Sequence, residues 1–403
     1  MTPAPRIALL GEVCDINPRL PKSHGLQDDC EVGFVPMAAV NEVSGTIEQR
    51  LTRRFAEVKK GYTSFAEDDV LFAKITPCME NGKAAIARGL AGGRGFGSTE
   101  FHVLRAKESV LPEWLYYFVR QQRFRREARR SFTGTAGQQR VPAAFMARTA
   151  IPVPALAEQR RMVDLLSCAE GIVRLRREAR KKTGQLLLAI HADMFGDAAA
   201  NSKGWPVAML GDVLASIDSG KSPRCHDRPR APDEWGVLRL SALKNGAYDE
   251  SEHKTLPEKE VPDVRSEIRR GDLLLSRKNT PELVGTPAYV WETQGRILLP
   301  DLIFRLCPRA EAGVHPLYLW ALLMAPAMRR RLRLMASGTA ASMPNISKAR
   351  LRTLPIMVAP LAQQQAFAGH ATALHAISLQ QQAALANAEA TFEALLARTF
   401  VPS

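Results

Sequence analysis

The chain lacks the features that mark membrane, secreted and zinc-binding proteins. It has no continuous apolar run of about 18 residues, so no segment is predicted to span a membrane. Its N-terminal segment has no small-residue cleavage site of the kind that ends a signal peptide. The six cysteines are scattered without a Cys-x-x-Cys pair, which argues against a disulfide framework and a zinc site. These absences predict a cytoplasmic protein with reduced thiols.

Complete enzyme motifs are also missing. Residues 216–222 end like a phosphate-binding loop, but Ala215 replaces the first glycine and Pro223 stands where the helix would begin. Residues 15–20 lack the second proline and the aromatic residue of an adenine methyltransferase motif. The acidic residues within 249–267 are too closely spaced to bring two carboxylates to one metal ion from adjacent strands. We therefore predict no catalytic residues, no metal and no cofactor.

Positive charge, in contrast, is in excess. The 55 lysines and arginines outnumber the 41 aspartates and glutamates, which gives a formal net charge of +14. A surplus of this size favours a polyanionic partner, because lysines and arginines close to phosphates release condensed counterions. A basic protein without such a partner is the alternative, and the distribution of the charge decides between them.

One pattern of segments occurs twice along the chain. Seven short segments return in the same order at shifts of roughly 200 to 205 residues. The paired segments begin at Leu10 and Leu210, Asp69 and Asp272, Gly82 and Gly285, Trp114 and Tyr318, Gly134 and Gly338, Ile151 and Leu354, and Leu156 and Leu361. This period is far too long for a solenoid, so the pattern predicts a tandem duplication of one domain.

Each half is predicted to be a mixed α/β (α+β) domain followed by one long helix. Short apolar runs such as VLFAKI and LLLSRK are typical of buried strands, and proline-rich segments mark the exit from each domain. The predicted segments are a first domain at 1–155, a first helix at 156–197, a second domain at 198–360 and a second helix at 361–403.

The two helices have mostly apolar residues at spacings of four and three, in two stretches per helix. These residues are Met162, Leu166, Ala169, Val173, Thr183, Leu187, Ile190 and Met194 in the first helix, and Phe367, Ala371, Leu374, Leu385, Ala388, Phe392 and Leu395 in the second. The spacing is typical of a coiled-coil seam, so we expect the helices to pack on each other. Packing of each helix on its own domain is the alternative.

Basic residues concentrate at equivalent places in the two halves. They are Arg120, Arg123, Arg125, Arg126, Arg129 and Arg130 in the first half, and Arg329, Arg330, Arg331 and Arg333 in the second. Because the charge is duplicated within otherwise diverged domains, we predict that these residues contact phosphates. A solvated helix face is the alternative.

Polar loop residues of the types that pair with base edges lie close by in sequence. Those after the predicted strands are Lys74, Thr76, Asn81 and Lys83, with Arg277, Lys278 and Asn279 in the second half. Those in the Gly-Thr loops are Gln138, Gln139 and Arg140, with Asn345 and Lys348 in the second half. Arginine and lysine pair with guanine, and asparagine and glutamine with adenine, so these loops are candidates for sequence recognition; ordinary surface turns are the alternative.

The whole pattern resembles the specificity subunits of Type I restriction–modification systems. The resemblance rests on the LGEVCDI opening, the VLFAKI strand, the Gly-Thr loop and the PVPALAEQRRMV segment that begins the helix. It also rests on their return as LGDVLASIDSGKSPRC and PLAQQQAF in the second half.

The resemblance implies two target-recognition domains that each recognise one half of a bipartite site in double-stranded DNA. It further implies an antiparallel coiled coil and pseudo-twofold symmetry, with the helices fixing the distance between the half-sites. Its partners would be two modification subunits that methylate adenine, and restriction subunits, while the chain itself would carry no catalysis. A two-headed scaffold that binds only proteins, or a stand-alone methyltransferase or nuclease, are the alternatives.

Overall fold

The chain divides into two compact units, each containing one globular half and parts of both long helices. The structure is a computed structural model and describes residues 5–21, 23–135, 138–198, 200–244, 246–337 and 343–401. Unit 1 comprises residues 1–178 and 382–403, and unit 2 comprises residues 179–381. The predicted mixed architecture and the long helices are present, while the predicted bounds of the four segments stay a prediction.

The first half consists of short strands and helices and ends in a long helix. Its strands are β1 (Arg6–Leu9), β2 (Cys14–Ile16), β3 (Glu31–Val35), β4 (Leu51–Arg54), β5 (Thr63–Ala66), β6 (Val70–Ala73), β7 (Ala84–Ile86), β8 (Arg94–Gly97), β9 (Phe101–Ala106) and β10 (Ala150–Val153). Its helices are α1 (Leu10–Val13), α2 (Phe55–Val58), α3 (Pro112–Arg120), α4 (Gln122–Arg130), α5 (Ala143–Arg148) and α6 (Leu156–Phe195), with 3-10 turns at Met37–Ala39 and Ala91–Gly93.

The second half also consists of short strands and helices and ends in a long helix. Its strands are β11 (Val207–Met209), β12 (Leu214–Asp218), β13 (Gly236–Leu238), β14 (Leu243–Lys244), β15 (Ala247–Tyr248), β16 (His253–Thr255), β17 (Leu273–Ser276), β18 (Pro287–Tyr289), β19 (Ile297–Leu298), β20 (Ile303–Pro308) and β21 (Pro355–Met357). Its helices are α7 (Leu210–Val213), α8 (Pro316–Met324), α9 (Pro326–Met335), α10 (Lys348–Arg352) and α11 (Leu361–Thr399), with 3-10 turns at Leu240–Ala242, Val264–Ser266 and Ala310–Ala312.

In unit 1, strand β6 lies inside a sheet of order β2-β9-β6-β7, and a second sheet has the order β4-β3-β8-β5. Strand β6 pairs with antiparallel neighbours on both edges, and helix α3 packs against it. All four side chains of β6 are therefore buried, which explains its continuous apolar sequence. Strands β1 and β10 form a separate two-stranded ribbon.

Unit 2 uses the same construction around strand β17. This strand pairs with β18 and β20 within a sheet of order β12-β20-β17-β18-β15-β14, and helix α8 packs against β18. A smaller sheet has the order β16-β13-β19, and β11 pairs with β21 in a ribbon. The four side chains of β17 are all buried, as they are in β6.

A buried glutamine connects each globular half to the first turn of its long helix. In unit 1, the Gln159 side chain accepts from the backbone N–H of Leu111 and donates to the carbonyls of Ser109 and Pro154, each at 2.9 Å. In unit 2, Gln364 accepts from the N–H of His315 at 2.8 Å and donates to two carbonyls in the same way. Both glutamines are fully buried, so the two joints are chemically equivalent.

Within each unit, the start of one long helix lies beside the end of the other. In unit 1, Phe400 follows α11 and its ring lies 4.5 Å from the ring of Trp114, while Arg177 of α6 pairs with Glu389 of α11. In unit 2, the Phe195 ring at the end of α6 lies 4.7 Å from that of Tyr318 and 5.7 Å from that of Phe367, near the start of α11. Equivalent aromatic residues at the two helix ends thus complete the cores of the two units.

Substitution of Gln159 by alanine should destabilise unit 1 selectively. Three partly buried backbone groups would lose their partner, so the free energy of unfolding of unit 1 should fall by about 2–4 kcal/mol. Hydrogen exchange should quicken in residues 109–120 and remain unchanged in unit 2. Substitution of the exposed Gln122 is the matched control, and equal exchange in the two variants would contradict the assignment.

Candidate nucleic-acid interface

Four loops hold most of the polar residues that the sequence marks for recognition. They are loop A (residues 74–83), loop B (residues 133–141), loop C (residues 277–286) and loop D (residues 337–346). Loop A follows the buried strand β6 and loop C follows β17, so each begins at a fixed point of its sheet. Residues 136, 137 and 338–342, which include part of the predicted Gly-Thr loops, lie outside the described residues.

Loops A and B are joined through their backbones in unit 1, although about 60 residues of chain separate them. The N–H of Thr76 donates to the carbonyl of Gln139 at 3.0 Å, and the N–H of Val141 donates to that of Lys74 at 2.9 Å. Ile75 also pairs with Arg140 in an antiparallel bridge. Candidate residues from two distant segments are thereby placed side by side, because buried backbone groups require partners.

Loops C and D are joined in the same way in unit 2. The N–H of Ile346 donates to the carbonyl of Arg277 at 2.9 Å, and Lys278 pairs with Asn345 in an antiparallel bridge. The Arg277 side chain also donates through Nε to the Asn345 side-chain oxygen at 3.0 Å. The predicted residues Arg277, Lys278 and Asn345 therefore form one cluster.

An arginine-rich helix lies beside each pair of loops. Arg129 of α4 forms a 3.0 Å ion pair with Glu80 in loop A, and Arg329 of α9 donates to the hydroxyl of Thr286 in loop C at 2.9 Å. We call loops A and B with α4 surface 1, and loops C and D with α9 surface 2. Each surface thus combines two polar loops with one basic helix.

Many of the predicted residues are exposed on these surfaces. On surface 1 the exposed ones are Asn81, Arg123, Arg126, Arg129, Arg130 and Gln138. On surface 2, and at the start of α10 beside it, they are Arg330, Arg333 and Lys348. Partly exposed ones are Lys74, Thr76, Gln139, Arg140, Arg277, Lys278, Arg331 and Asn345. The basic residues give both surfaces a cationic character.

The position of Arg120 argues against its predicted role as a phosphate contact. Its side chain is only 10% exposed and forms an ion pair with Glu170 of helix α6. The hydroxyls of Tyr116 and Tyr117 donate to the same carboxylate. Arg120 therefore holds helix α3 to α6, and its charge is neutralised inside unit 1.

Lys83 and Asn279 are likewise engaged within the protein. Lys83 is 12% exposed and pairs with Glu42 at 3.2 Å, and this hydrogen bond holds the pKa of Glu42 below its usual range. Asn279 is buried, where its side chain accepts from the N–H of Thr280 at 2.9 Å and donates to the Ser276 hydroxyl. Both residues support loops rather than face solvent.

Two partly exposed arginines are held in fixed orientations. Arg140 forms hydrogen bonds to both oxygens of Glu100, which lower the pKa of that carboxyl group. The Arg277 guanidinium lies 5.4 Å from the ring centre of Phe304. The acidic partners Glu80, Glu100 and Glu170 have no sequence signal, because each pairing joins residues that are distant along the chain or lie within an irregular loop.

The described residues contain neither a metal-binding cluster nor a membrane-spanning helix. Among the described residues, no group of three or more His, Cys, Asp or Glu side chains is arranged to hold a metal ion. Across that same part of the chain, no helix has the length and apolar character needed to cross a membrane.

Several known sequences are similar to this chain. Residues 8–182 match the family described as the Type I restriction modification DNA specificity domain. The EcoEI specificity subunit of Escherichia coli is 29% identical, over 88% of this chain and 75% of that protein. The EcoAI specificity subunit from the same species is 38% identical, over 38% of this chain and 26% of its own length.

Solved structures share the fold over nearly the whole chain. A structure described as the basis of complex assembly and conformational transition of the type I R-M system has a TM-score of 0.59 at 22% identity, covering 99% of this chain and 98% of its own. The S subunit of a Type-I restriction-modification system from M. genitalium has a TM-score of 0.53 at 12% identity, covering 99% of this chain and 96% of that subunit.

These comparisons confirm the resemblance inferred from the sequence. The chain is similar to the specificity subunits of Type I restriction–modification systems, and residues 8–182 match the DNA specificity domain family. Because the matched relatives are named specificity subunits, the prediction of a specificity subunit without catalysis of its own is confirmed as well.

Substitution of Arg120 by methionine should act on stability. The Glu170 carboxylate would remain half-buried without its counter-ion, so the free energy of unfolding should fall by about 3 kcal/mol. Thermal denaturation of Arg120→Met, compared with the exposed Arg126→Met, measures this difference. Adding Glu170→Gln should restore part of the loss, and a variant as stable as the parent would refute the structural role.

Proposed function

We propose that the chain binds double-stranded DNA through surfaces 1 and 2, each recognising one half of a bipartite target. The supporting observation is the recurrence of one arrangement, two backbone-paired loops beside an arginine-rich helix, in both units. A single such arrangement could serve many purposes. Two of them, each with exposed cations and with amide side chains that are exposed on surface 1 and partly exposed on surface 2, match the needs of a protein that recognises two DNA segments.

Phosphate contacts come from the exposed arginines of the basic helices. On surface 1 these are Arg123, Arg126, Arg129 and Arg130, and on surface 2 they are Arg330 and Arg333, with Lys348 nearby. Contacts of this kind fix the position of the protein on the duplex and carry no sequence information. They supply affinity that depends on salt, because each contact releases counterions.

Base recognition comes from the loops. Asn81 and Gln138 of surface 1 are exposed amides of the type that binds adenine in the major groove. Arg140 and Arg277 are partly exposed and already oriented by Glu100 and Asn345, so little side-chain freedom would be lost on binding. Orientation before binding favours discrimination between bases over general affinity.

The two long helices form an antiparallel coiled coil that sets the separation of the half-sites. Support comes from within each unit. In unit 1, Leu166 near the start of α6 and Leu396 near the end of α11 belong to one hydrophobic cluster, and in unit 2 the ring of Phe195 at the end of α6 lies 5.7 Å from that of Phe367 near the start of α11. The central contacts agree in direction: Arg177 pairs with Glu389, and Thr183 lies 2.9 Å from Gln381, oxygen to oxygen. The tandem duplication accounts for the equivalent glutamine joints in the two halves.

The chain acts with partner subunits. Its relatives are named as specificity subunits of Type I restriction enzymes, and one related structure concerns assembly of a type I R-M complex. We therefore assign two modification subunits, which methylate adenine, and restriction subunits as partners. The specificity chain selects the DNA sequence on which they act.

A salt titration of DNA binding tests this function. Neutralising two phosphate contacts with Arg126→Gln and Arg130→Gln should weaken binding to all duplexes and lower the slope of log K against log salt by about 2. Arg161→Gln, which removes an exposed cation from helix α6, is the control and should leave the slope unchanged. A protein-binding scaffold would show no salt-dependent DNA binding, and an unaltered slope in the double variant would exclude α4 from the interface.

A further inference from the structure

We infer that Arg125 and Arg329 are positioning residues for DNA specificity. Each fixes the backbone position of the recognition loop beside it through its guanidinium group, and we call this contact the brace. The inference rests on the proposed function, because it assumes that loops A and C contact bases. It differs from the role that the sequence predicts for these arginines, which is direct contact with phosphate. The geometry in the two units points to the same brace.

In unit 1, the Arg125 guanidinium lies against the backbone of loop A. Its Nη1 atom donates to the carbonyl oxygen of Glu80 at 2.6 Å. The guanidinium also covers Gly82, where an added Cβ would lie 3.0 Å from Nη1 and 3.2 Å from Cζ of Arg125. Gly82 has a φ of 76°, a left-handed conformation that glycine adopts without strain. The loop is thus shaped to receive this side chain.

In unit 2, Arg329 occupies the equivalent place beneath loop C. Its Nη2 atom donates to the Thr286 hydroxyl at 2.9 Å and to the carbonyl of Glu282 at 3.4 Å. Gly285 has a φ of 70°, and an added Cβ would lie 2.9 Å from Cβ of Leu332, 3.2 Å from Cδ1 of Ile346 and 3.4 Å from Nη1 of Arg329, so Arg329 is one of three side chains that enclose this glycine. A glycine, a loop carbonyl and an arginine from the basic helix therefore recur as one set.

Both guanidiniums are withdrawn from solvent at an energetic cost. The Nε atom of Arg125 and the Nη1 atom of Arg329 are buried and lack hydrogen-bond partners among the described residues. Burial lowers the pKa of Arg329 to about 10 and also lowers the pKa of Arg125. A cation kept for phosphate binding gains nothing from such enclosure, whereas a brace requires it.

The brace determines where the tip of each loop lies. The carbonyl held by Arg125 belongs to Glu80, the residue directly before the exposed Asn81. The Glu80 carboxylate forms an ion pair with Arg129 and accepts a hydrogen bond from the Thr76 hydroxyl. It therefore does not compete with the Glu80 carbonyl for Arg125. Loss of the Arg125 contact should free the Asn81 side chain to sample several positions. Discrimination between bases would then weaken while the phosphate contacts of Arg126 and Arg130 persist.

Two pairs of variants separate a brace from a phosphate contact. Arg125→Met and Arg329→Met remove the brace in one unit each, while Arg126→Met and Arg330→Met remove exposed arginines one position along the same helices. Each full-length variant is expressed with its modification subunits, and N6-methyladenine is mapped in the genomic DNA of the host.

The parent map should show one two-part motif. Arg125→Met should relax base choice in one half of that motif, Arg329→Met should relax the other half, and Arg126→Met and Arg330→Met should lower methylation at all sites without changing base choice. If Arg125→Met instead lowered methylation at all sites and kept the base choice, as Arg126→Met should, the positioning role of Arg125 would be overturned. A parent map without a two-part motif would instead refute the proposed function.

Hydrogen exchange supplies a readout that needs no DNA. Amides of residues 80–83 should exchange about tenfold faster in Arg125→Met than in the parent, since one hydrogen bond is lost, while the rest of unit 1 stays protected. Arg125→Lys keeps the charge and one donor but cannot cover Gly82, so it should restore part of the protection and of the base choice. Unchanged exchange in residues 80–83, or unfolding of the whole of unit 1 in both variants, would reject a local brace.

Discussion

Burial of the central strand in each unit is the constraint on which both surfaces depend. Strand β6 has its side chains in the core and hydrogen-bonded strands on both edges, so the chain leaves it at a fixed position and in a fixed direction. The next residue, Lys74, donates its N–H to the carbonyl of Glu100 and accepts from the N–H of Val141. Loop B is thereby drawn from a distant segment to loop A, because these backbone groups need partners. The pattern recurs in unit 2. The N–H of Arg277, the residue after β17, donates to the carbonyl of Leu302, and the N–H of Ile346 in loop D donates to the carbonyl of Arg277.

The arginines on each surface divide into two groups that differ in exposure and in their contacts. Exposed ones, such as Arg126 and Arg330, present their charge to solvent and suit contacts that depend on salt. Enclosed ones, such as Arg125 and Arg329, have their charge turned inward against loop backbone. In the function proposed above, this division would separate general affinity for a polyanion from the shape of the loops proposed to recognise bases, and it occurs in both units.

Features governed by local sequence could be predicted, and features governed by tertiary pairing could not. The buried strands, the arginine-rich helices and the long helices follow from apolar periodicity and from the repeated segments. The burial of Arg120 could not be anticipated, because its partner Glu170 lies 50 residues away on another helix. Likewise, Asn279 looks like a recognition residue in sequence, yet in the structure it closes the turn after β17. Charge and residue type identify the segments that form the candidate interface. The contacts that each side chain makes in the folded structure determine its role.

Exchange of one half of the chain tests the central claim most directly. Residues 1–155 would be replaced by the matching segment of a related specificity subunit, and the methylated adenines would be mapped across the host genome. If each unit recognises one half-site, the recognised sequence should change in one half only, and the gap between the halves should stay fixed. A change in both halves, or in neither, would contradict an account in which two separate surfaces recognise the DNA.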